Sequence, residues 1–226
     1  AQIIVPFSYK ELLNYKIDED PFFSKDRFKQ WFYSRDLFAF EAPLKKDIYF
    51  FGRNDLVHKI VNRYKSNENS GLFGLRKTGK TSVIYGIERA LKKTNESLAI
   101  IDCQNTAFHK RRWNKALYYI AQEIVNQNNV SNIILQNEDL YTEENASLVF
   151  EAEINNIYKK MKKKSIFIIF DEIENIAFNI SPSDHWAKGS DFIFFWQTIR
   201  SLFQKLNNYF CGIIAFFVCW DRRKAP

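Results

Sequence analysis

Between Gly74 and Thr81 the chain reads Gly-Leu-Arg-Lys-Thr-Gly-Lys-Thr, two glycines bracketing four residues and followed at once by Lys-Thr. No other stretch constrains the fold as much. Gly71-Leu72-Phe73 before it reads as a short apolar strand leaving the polar turn 66–70. Val83, Ile84, Ile87 and Leu91 after it recur at helical spacing. The octapeptide is therefore a strand-to-helix turn. Its glycines let the backbone curl tightly with N–H groups turned inward. The helix opening near Lys80 adds the positive end of its dipole to the same concavity. Such a turn is shaped to hold an anion, and Lys80 brings a cation to it.

The rest of the chain repeats the alternation. Leu56, Val57, Ile60, Val61 and Tyr64 form one helical stripe before the turn. Leu98 to Cys103 reads as a buried strand, and Trp113, Ala116, Leu117, Ile120 and Ile124 as a helix. Residues 126–143 are Asn-rich and irregular, after which Phe150, Ile154, Ile157, Tyr158 and Met161 return to helical spacing. Ile166 to Phe170 is an unbroken apolar run, the mark of a strand covered on both faces. Phe192, Phe195, Trp196, Ile199, Leu202, Phe203 and Leu206 make the strongest amphipathic helix, and Tyr209 to Val218 reads as a last strand. Strands separated by helices predict βαβ units and a parallel sheet, an α/β fold. Residues 1–49 form an aromatic lead-in, with a short helix expected from a Ser24 cap through Phe28, Trp31 and Phe32. Residues 50–218 are the expected core and 219–226 a tail.

Composition excludes several classes. Hydrophobic residues make up 46% and aromatics 17% of the 226 residues, enough for a core and unlike a disordered chain. The cysteines Cys103, Cys211 and Cys219 have no CxxC spacing, which suits neither a disulfide framework nor a zinc site. They are expected to be buried, reduced thiols in a cytoplasmic protein. The longest apolar run, Tyr209 to Trp220, falls short of a membrane span. The chain begins with Ala and carries no signal-peptide pattern, and is read as a piece of a longer protein. The +7 charge gathers at Lys110, Arg111, Arg112 and Lys115 and at Lys159 to Lys164. Such runs permit nucleic-acid contact without requiring it, and solvated helix faces account for them equally.

Gly74, Leu75, Arg76, Lys77, Thr78, Gly79, Lys80 and Thr81 satisfy the full phosphate-loop pattern G-x-x-x-x-G-K-[ST], with strand before and helix after. In this P-loop, Lys80 is expected to reach the β- and γ-phosphates of a nucleoside triphosphate, and Thr81 to ligate Mg²⁺. Ser82 adds a hydroxyl nearby. Arg76 and Lys77 are placed to meet the γ-phosphate, a partner or solvent. Asp171-Glu172 stands at the carboxyl end of the apolar strand, the ligand edge of a parallel sheet. There Asp171 would hold Mg²⁺ through water and Glu172 would act as general base. The competing reading is a helix start whose Asp171, Glu172 and Glu174 favour the dipole.

These residues resemble the P-loop ATPases of the AAA+ and STAND kind, the latter being signal-transduction ATPases with numerous domains. Three features carry the resemblance: the Phe51-Gly52-Arg53 box with the helix after it, the run from Gly74 to Ser82, and Asp171-Glu172 closing its strand. The resemblance implies a three-layer P-loop sandwich with a parallel sheet in the order 5-1-4-3-2, of which this chain holds strands 1 to 4 and stops before strand 5. It implies ATP with Mg²⁺ as ligand, with Phe51, Gly52 and Arg53 beside the adenine. The Asn-Lys-x-Asp signature of GTPases is absent, which favours ATP by the same resemblance. The family also places a polar residue near the end of strand 4. Here the chain reads Phe216-Phe217-Val218 and Asp221 is the nearest acidic side chain, in a tail unlike the family.

Three functions are open at this point. One is a regulatory ATPase coupling nucleotide state to effector or sensor domains of the same protein, in prokaryotic signalling or defence against phage. Another is a nucleic-acid-dependent motor or loader, predicting steep salt dependence. The last is a nucleotide-binding scaffold without hydrolysis. A homo-oligomer is compatible with each, and no membrane partner is expected. His58, His109 and His185 have no metal-ligand spacing and are read as structural or surface residues.

Overall fold

The computed structural model describes residues 8–10, 25, 43, 50, 52–74, 78–130, 133–162 and 165–206, together with the backbone of 210–217. The chain divides into two compact units, Ala1–Phe51 and Gly52–Pro226. The expected helix of Ser24, Phe28, Trp31 and Phe32 lies outside the described residues, as do Phe51, Leu75, Arg76, Lys77 and the tail from Val218.

The second unit alternates helices and strands: α1 (Asn54–Lys65), β1 (Ser70–Gly74), α2 (Lys80–Lys93), β2 (Ser97–Asp102), the short α3 (Thr106–His109), α4 (Trp113–Gln127), α5 (Ala146–Lys160), β3 (Ile166–Asp171), the short α6 (Asp184–Ala187), α7 (Ser190–Lys205) and β4 (Phe210–Phe217). Single 3-10 turns fall at Glu138–Leu140 and Ile173–Ile176. Of the Asn-rich segment expected to be irregular, 126–127 close α4, 131–132 lie outside the described residues, and the described remainder up to α5 holds only the 3-10 turn at Glu138–Leu140.

The strands form one parallel sheet in the order β1-β4-β3-β2. The carboxyl ends of the strands therefore gather on one edge. β3 is buried along its whole length, which explains its unbroken apolar run. Its alternate residues serve opposite faces. Ile166, Ile168 and Phe170 join the cluster built from α4, α5 and α7, while the Phe167 ring lies 4.6 Å from that of Tyr64 on α1. Helices thus cover both faces.

Helix ends are set locally. Asn67, Asn95 and Asn129 follow α1, α2 and α4 in the left-handed conformation, at φ 58°, 57° and 52°. Asparagine tolerates this region, and so closes helices in a chain with only 7 glycines. The neighbouring amides of Gln127 and Asn128 then clip onto the free side of β2. Gln127 accepts from Ile100 N at 2.8 Å and donates to its O at 2.9 Å, and Asn128 does the same to Leu98 at 3.2 and 2.9 Å. They satisfy an exposed strand edge without another strand.

One apolar expectation needs correction. Phe73 is 64% exposed, because β1 is only five residues long and alternates its faces, burying Leu72 instead. On α7 the buried stripe runs through Phe195, Ile199, Leu202 and Phe203, as the spacing predicts, and Ile193 and Phe194 outside it are about half exposed.

Candidate functional site

The octapeptide sits where β1 gives way to α2. A Cβ on Gly74 would come within 2.9 Å of the Thr78 hydroxyl, so the loop folds back too closely for any side chain there. Gly79 has φ +81°, the left-handed region, and directly precedes α2. It offers no side chain to accept from the first-turn N–H groups of the helix, the arrangement that an anion can complete. Lys80 is buried, and its Nζ donates to Gly74 O at 3.2 Å, which draws the ammonium across the start of the loop. Ser82 is buried in the same turn.

Ninety residues later the chain returns to this point. Thr81 Oγ1 donates to Asp171 Oδ2 at 3.0 Å. Asp171 ends β3, in register with Asp102 at the end of β2, and its carbonyl accepts from Cys103 N at 3.0 Å. Asp171 is buried, which pushes its carboxyl up; the Thr81 hydrogen bond acts against that shift, and the charges of Glu172 and Asp102 add to it. Glu172 follows at φ 53°, a strained conformation for a residue with a Cβ. Its amide donates to Asp171 Oδ1 at 3.0 Å. Burial, then the hydrogen bond and charge of Glu174, push its carboxyl up to about 7, with Lys80 opposing. A carboxyl so poised can take a proton from water at neutral pH.

Glu172 is held by residues the sequence reading passed over. Its carbonyl accepts from Asn175 Nδ2 at 2.8 Å, and Asn175 O accepts from Ser181 Oγ at 2.6 Å. Ser181 Oγ accepts from Ser183 N at 3.1 Å, and Ser183 Oγ shares a hydrogen bond with His109 Nδ1 at 2.9 Å. His185 Nε2 donates to Arg111 O at 2.9 Å. His109 and His185 thus pin the segment after β3 to the segment after β2, a structural role as expected, while His58 is exposed on α1. The only advance signal was the cluster of short polar residues after Glu172.

The structure brings Gly74, Thr78, Gly79, Lys80, Thr81, Ser82, Asp171 and Glu172 to one edge. Of the Phe51-Gly52-Arg53 box, Gly52 is exposed with φ +77°, and the Arg53 guanidinium lies 3.6 Å from where a Cβ on Gly79 would stand. Cys103 is fully buried, which holds its thiol well above its ordinary value.

The basic run before α4 is engaged inside the molecule. Arg111 pairs with Glu138, and Lys115 donates to the carbonyl of the same residue at 2.5 Å. Arg112 meets the wholly buried Asp191 at 2.7 Å and Glu143 at 2.9 Å. Lys110 is exposed.

The oxygen donors fit Mg²⁺. A hydroxyl and a carboxylate are the hard ligands that ion takes, and it keeps most of its waters and is completed by phosphate oxygens rather than by a protein cage. No cluster of three or more His, Cys, Asp or Glu that would form such a cage occurs among the described residues. No helix among them is long and apolar enough to cross a membrane.

No family model matches the chain, and no curated protein matches it. Among solved structures it is similar to a Walker-type ATPase of Pyrococcus abyssi, at 18% identity and a TM-score of 0.47, over 80% of this chain and 49% of that one. The chain spans about half the length of that structure. A likeness this distant carries no assignment of function, which rests on the residues themselves.

Proposed function

We propose that the chain binds ATP with Mg²⁺ and hydrolyses it, as a regulatory P-loop module of the AAA+ and STAND kind. The observation that carries this reading is the 3.0 Å contact between Thr81 and Asp171, beside the uncapped start of α2. It brings together the two oxygen donors that the two motifs supply separately.

In this reading the first-turn amides of α2 and the Lys80 ammonium hold the phosphate chain. Thr81 and Asp171 hold Mg²⁺, which when bound neutralises charge on the phosphate oxygens. Glu172 orients a water against the γ-phosphorus and accepts its proton. Asn175, Ser181 and Ser183 keep Glu172 in its strained conformation. The strand order β1-β4-β3-β2 supports the resemblance, since a 5-1-4-3-2 sheet without its fifth strand reads the same way. The pairing of Arg111, Arg112 and Lys115 within the fold weighs toward a signalling or defence module and away from a nucleic-acid motor.

Calorimetry with Mg²⁺-ATP on this chain, with Lys80→Ala beside it, tests the reading. Binding that weakens at least about tenfold in the variant is expected, since a charge-assisted contact is lost. Equal affinity in the two proteins, or no binding by a well-folded wild-type chain, refutes it.

A further inference from the structure

Arg53 stands immediately before α1, at the end of the box that the resemblance sets beside the adenine. Its surroundings point elsewhere. The nearest atoms to a Cβ built on Gly79 are its Nη1, at 3.6 Å, and its Cζ, at 4.0 Å. Gly79 is the residue that opens α2 and leaves the N–H groups of that helix without a side-chain cap. The guanidinium is exposed, and among the described residues no carboxylate pairs with it. Other arginines of this unit are tied down: Arg63 to Glu68, Arg111 to Glu138, and Arg112 to Asp191 and Glu143.

We infer that Arg53 is a phosphate-binding residue, gripping the polyphosphate chain from the side of Gly79 rather than reading the base. This rests on the P-loop reading above. A phosphate oxygen that accepts from the first-turn amides of α2 lies beside Gly79, and a guanidinium standing on the side-chain side of that glycine presents forked N–H donors to it. Lys80 is buried and Arg53 is exposed, so the two cations differ in their access to solvent. Arg53 is also the residue before α1, so a ligand that fixes it fixes the start of that helix.

The test measures affinity of the whole chain for Mg²⁺-ATP and for Mg²⁺-tripolyphosphate, which has no base, by displacement of a fluorescent ATP analogue. Wild type, Arg53→Ala and Arg53→Lys are compared, with circular dichroism to check that both variants fold. The alanine variant is expected to lose about tenfold or more for both ligands alike, and the lysine variant to lose less. A loss confined to ATP overturns the inference in favour of a base contact. No loss for either ligand overturns it outright. Tripolyphosphate that fails to compete on wild type, where ATP binds, also overturns it, because a chain gripped by Arg53 and the α2 amides binds on its own. A wild-type chain that binds neither ligand removes the P-loop reading itself, and the wild-type control tells that failure from the others.

Discussion

Replacing Thr81 by Val tests the joint between the two motifs. Valine keeps the shape and β-branching of threonine, so helix propensity barely changes and the hydroxyl is the only loss. That hydroxyl donates to a buried carboxylate oxygen at 3.0 Å. Hydrogen bonds to charged groups contribute about 1.5–3 kcal/mol. Thr81 is only partly buried, and Asp171 keeps the Glu172 amide on its other oxygen, so the low end of the range applies, about 1.5 kcal/mol. Asp171→Asn removes the charge while keeping the volume. Urea unfolding of the two single variants and the double variant, in metal-free buffer at pH 7, closes a cycle whose expected coupling is about 1 kcal/mol. Effects that add to within about 0.3 kcal/mol would show that the contact carries no energy. The same Thr81→Val protein should lose most of the Mg²⁺ dependence of ATP affinity. An unchanged Mg²⁺ dependence would remove Thr81 from the metal site.

Glu172→Gln should leave Mg²⁺-ATP affinity within about twofold and cut phosphate release by about a hundredfold or more, the scale of lost general-base catalysis; normal turnover means another group takes the proton. Asp191→Ala takes from the buried Trp113 amide its acceptor at 3.0 Å, and from the Arg112 guanidinium one of its two carboxylates, Glu143 remaining at 2.9 Å. The half-exposed guanidinium is rescued by solvent and Glu143, so the cost is that of a buried amide left unsatisfied, about 2 kcal/mol, read as a drop in unfolding free energy, and a loss below about 0.5 kcal/mol would deny Asp191 its role in anchoring the start of α4.

The parts of the site that the sequence made legible are those whose chemistry is local. Gly74 and Gly79 are required by close approach and by positive φ within a single turn, so their spacing announces them. The apolar run of β3 announces a doubly covered strand, and the carboxylates at its end follow from the polarity of a parallel sheet. The partners of Glu172 were not legible, because Asn175, Ser181 and Ser183 act through short side-chain bonds to backbone that follow no period. The exposure of Phe73 was missed for a related reason. Periodicity says that a segment has two faces, but which residues its neighbours cover depends on strand length and on helix rotation.

The positive charge shows the same limit, with a consequence for function. Along the chain, Lys110, Arg111, Arg112 and Lys115 read as one basic patch. In the fold, three of them are claimed by partners 23 to 79 residues away. At the carboxyl edge of the sheet charge of both signs gathers. Lys80 and Arg53 lie beside Gly79 and the start of α2, while Asp171, Glu172 and Asp102 gather at the ends of β3 and β2, Asp171 joined to α2 by the Thr81 contact. A simple anion at this edge meets carboxylates, and a simple cation meets Lys80. A polyphosphate carrying a divalent cation suits both charges at once, its oxygens toward α2 and its metal toward Asp171. This pairing of opposite charges favours a metal–nucleotide complex over nucleic acid, whose backbone phosphates would have no use for the carboxylates.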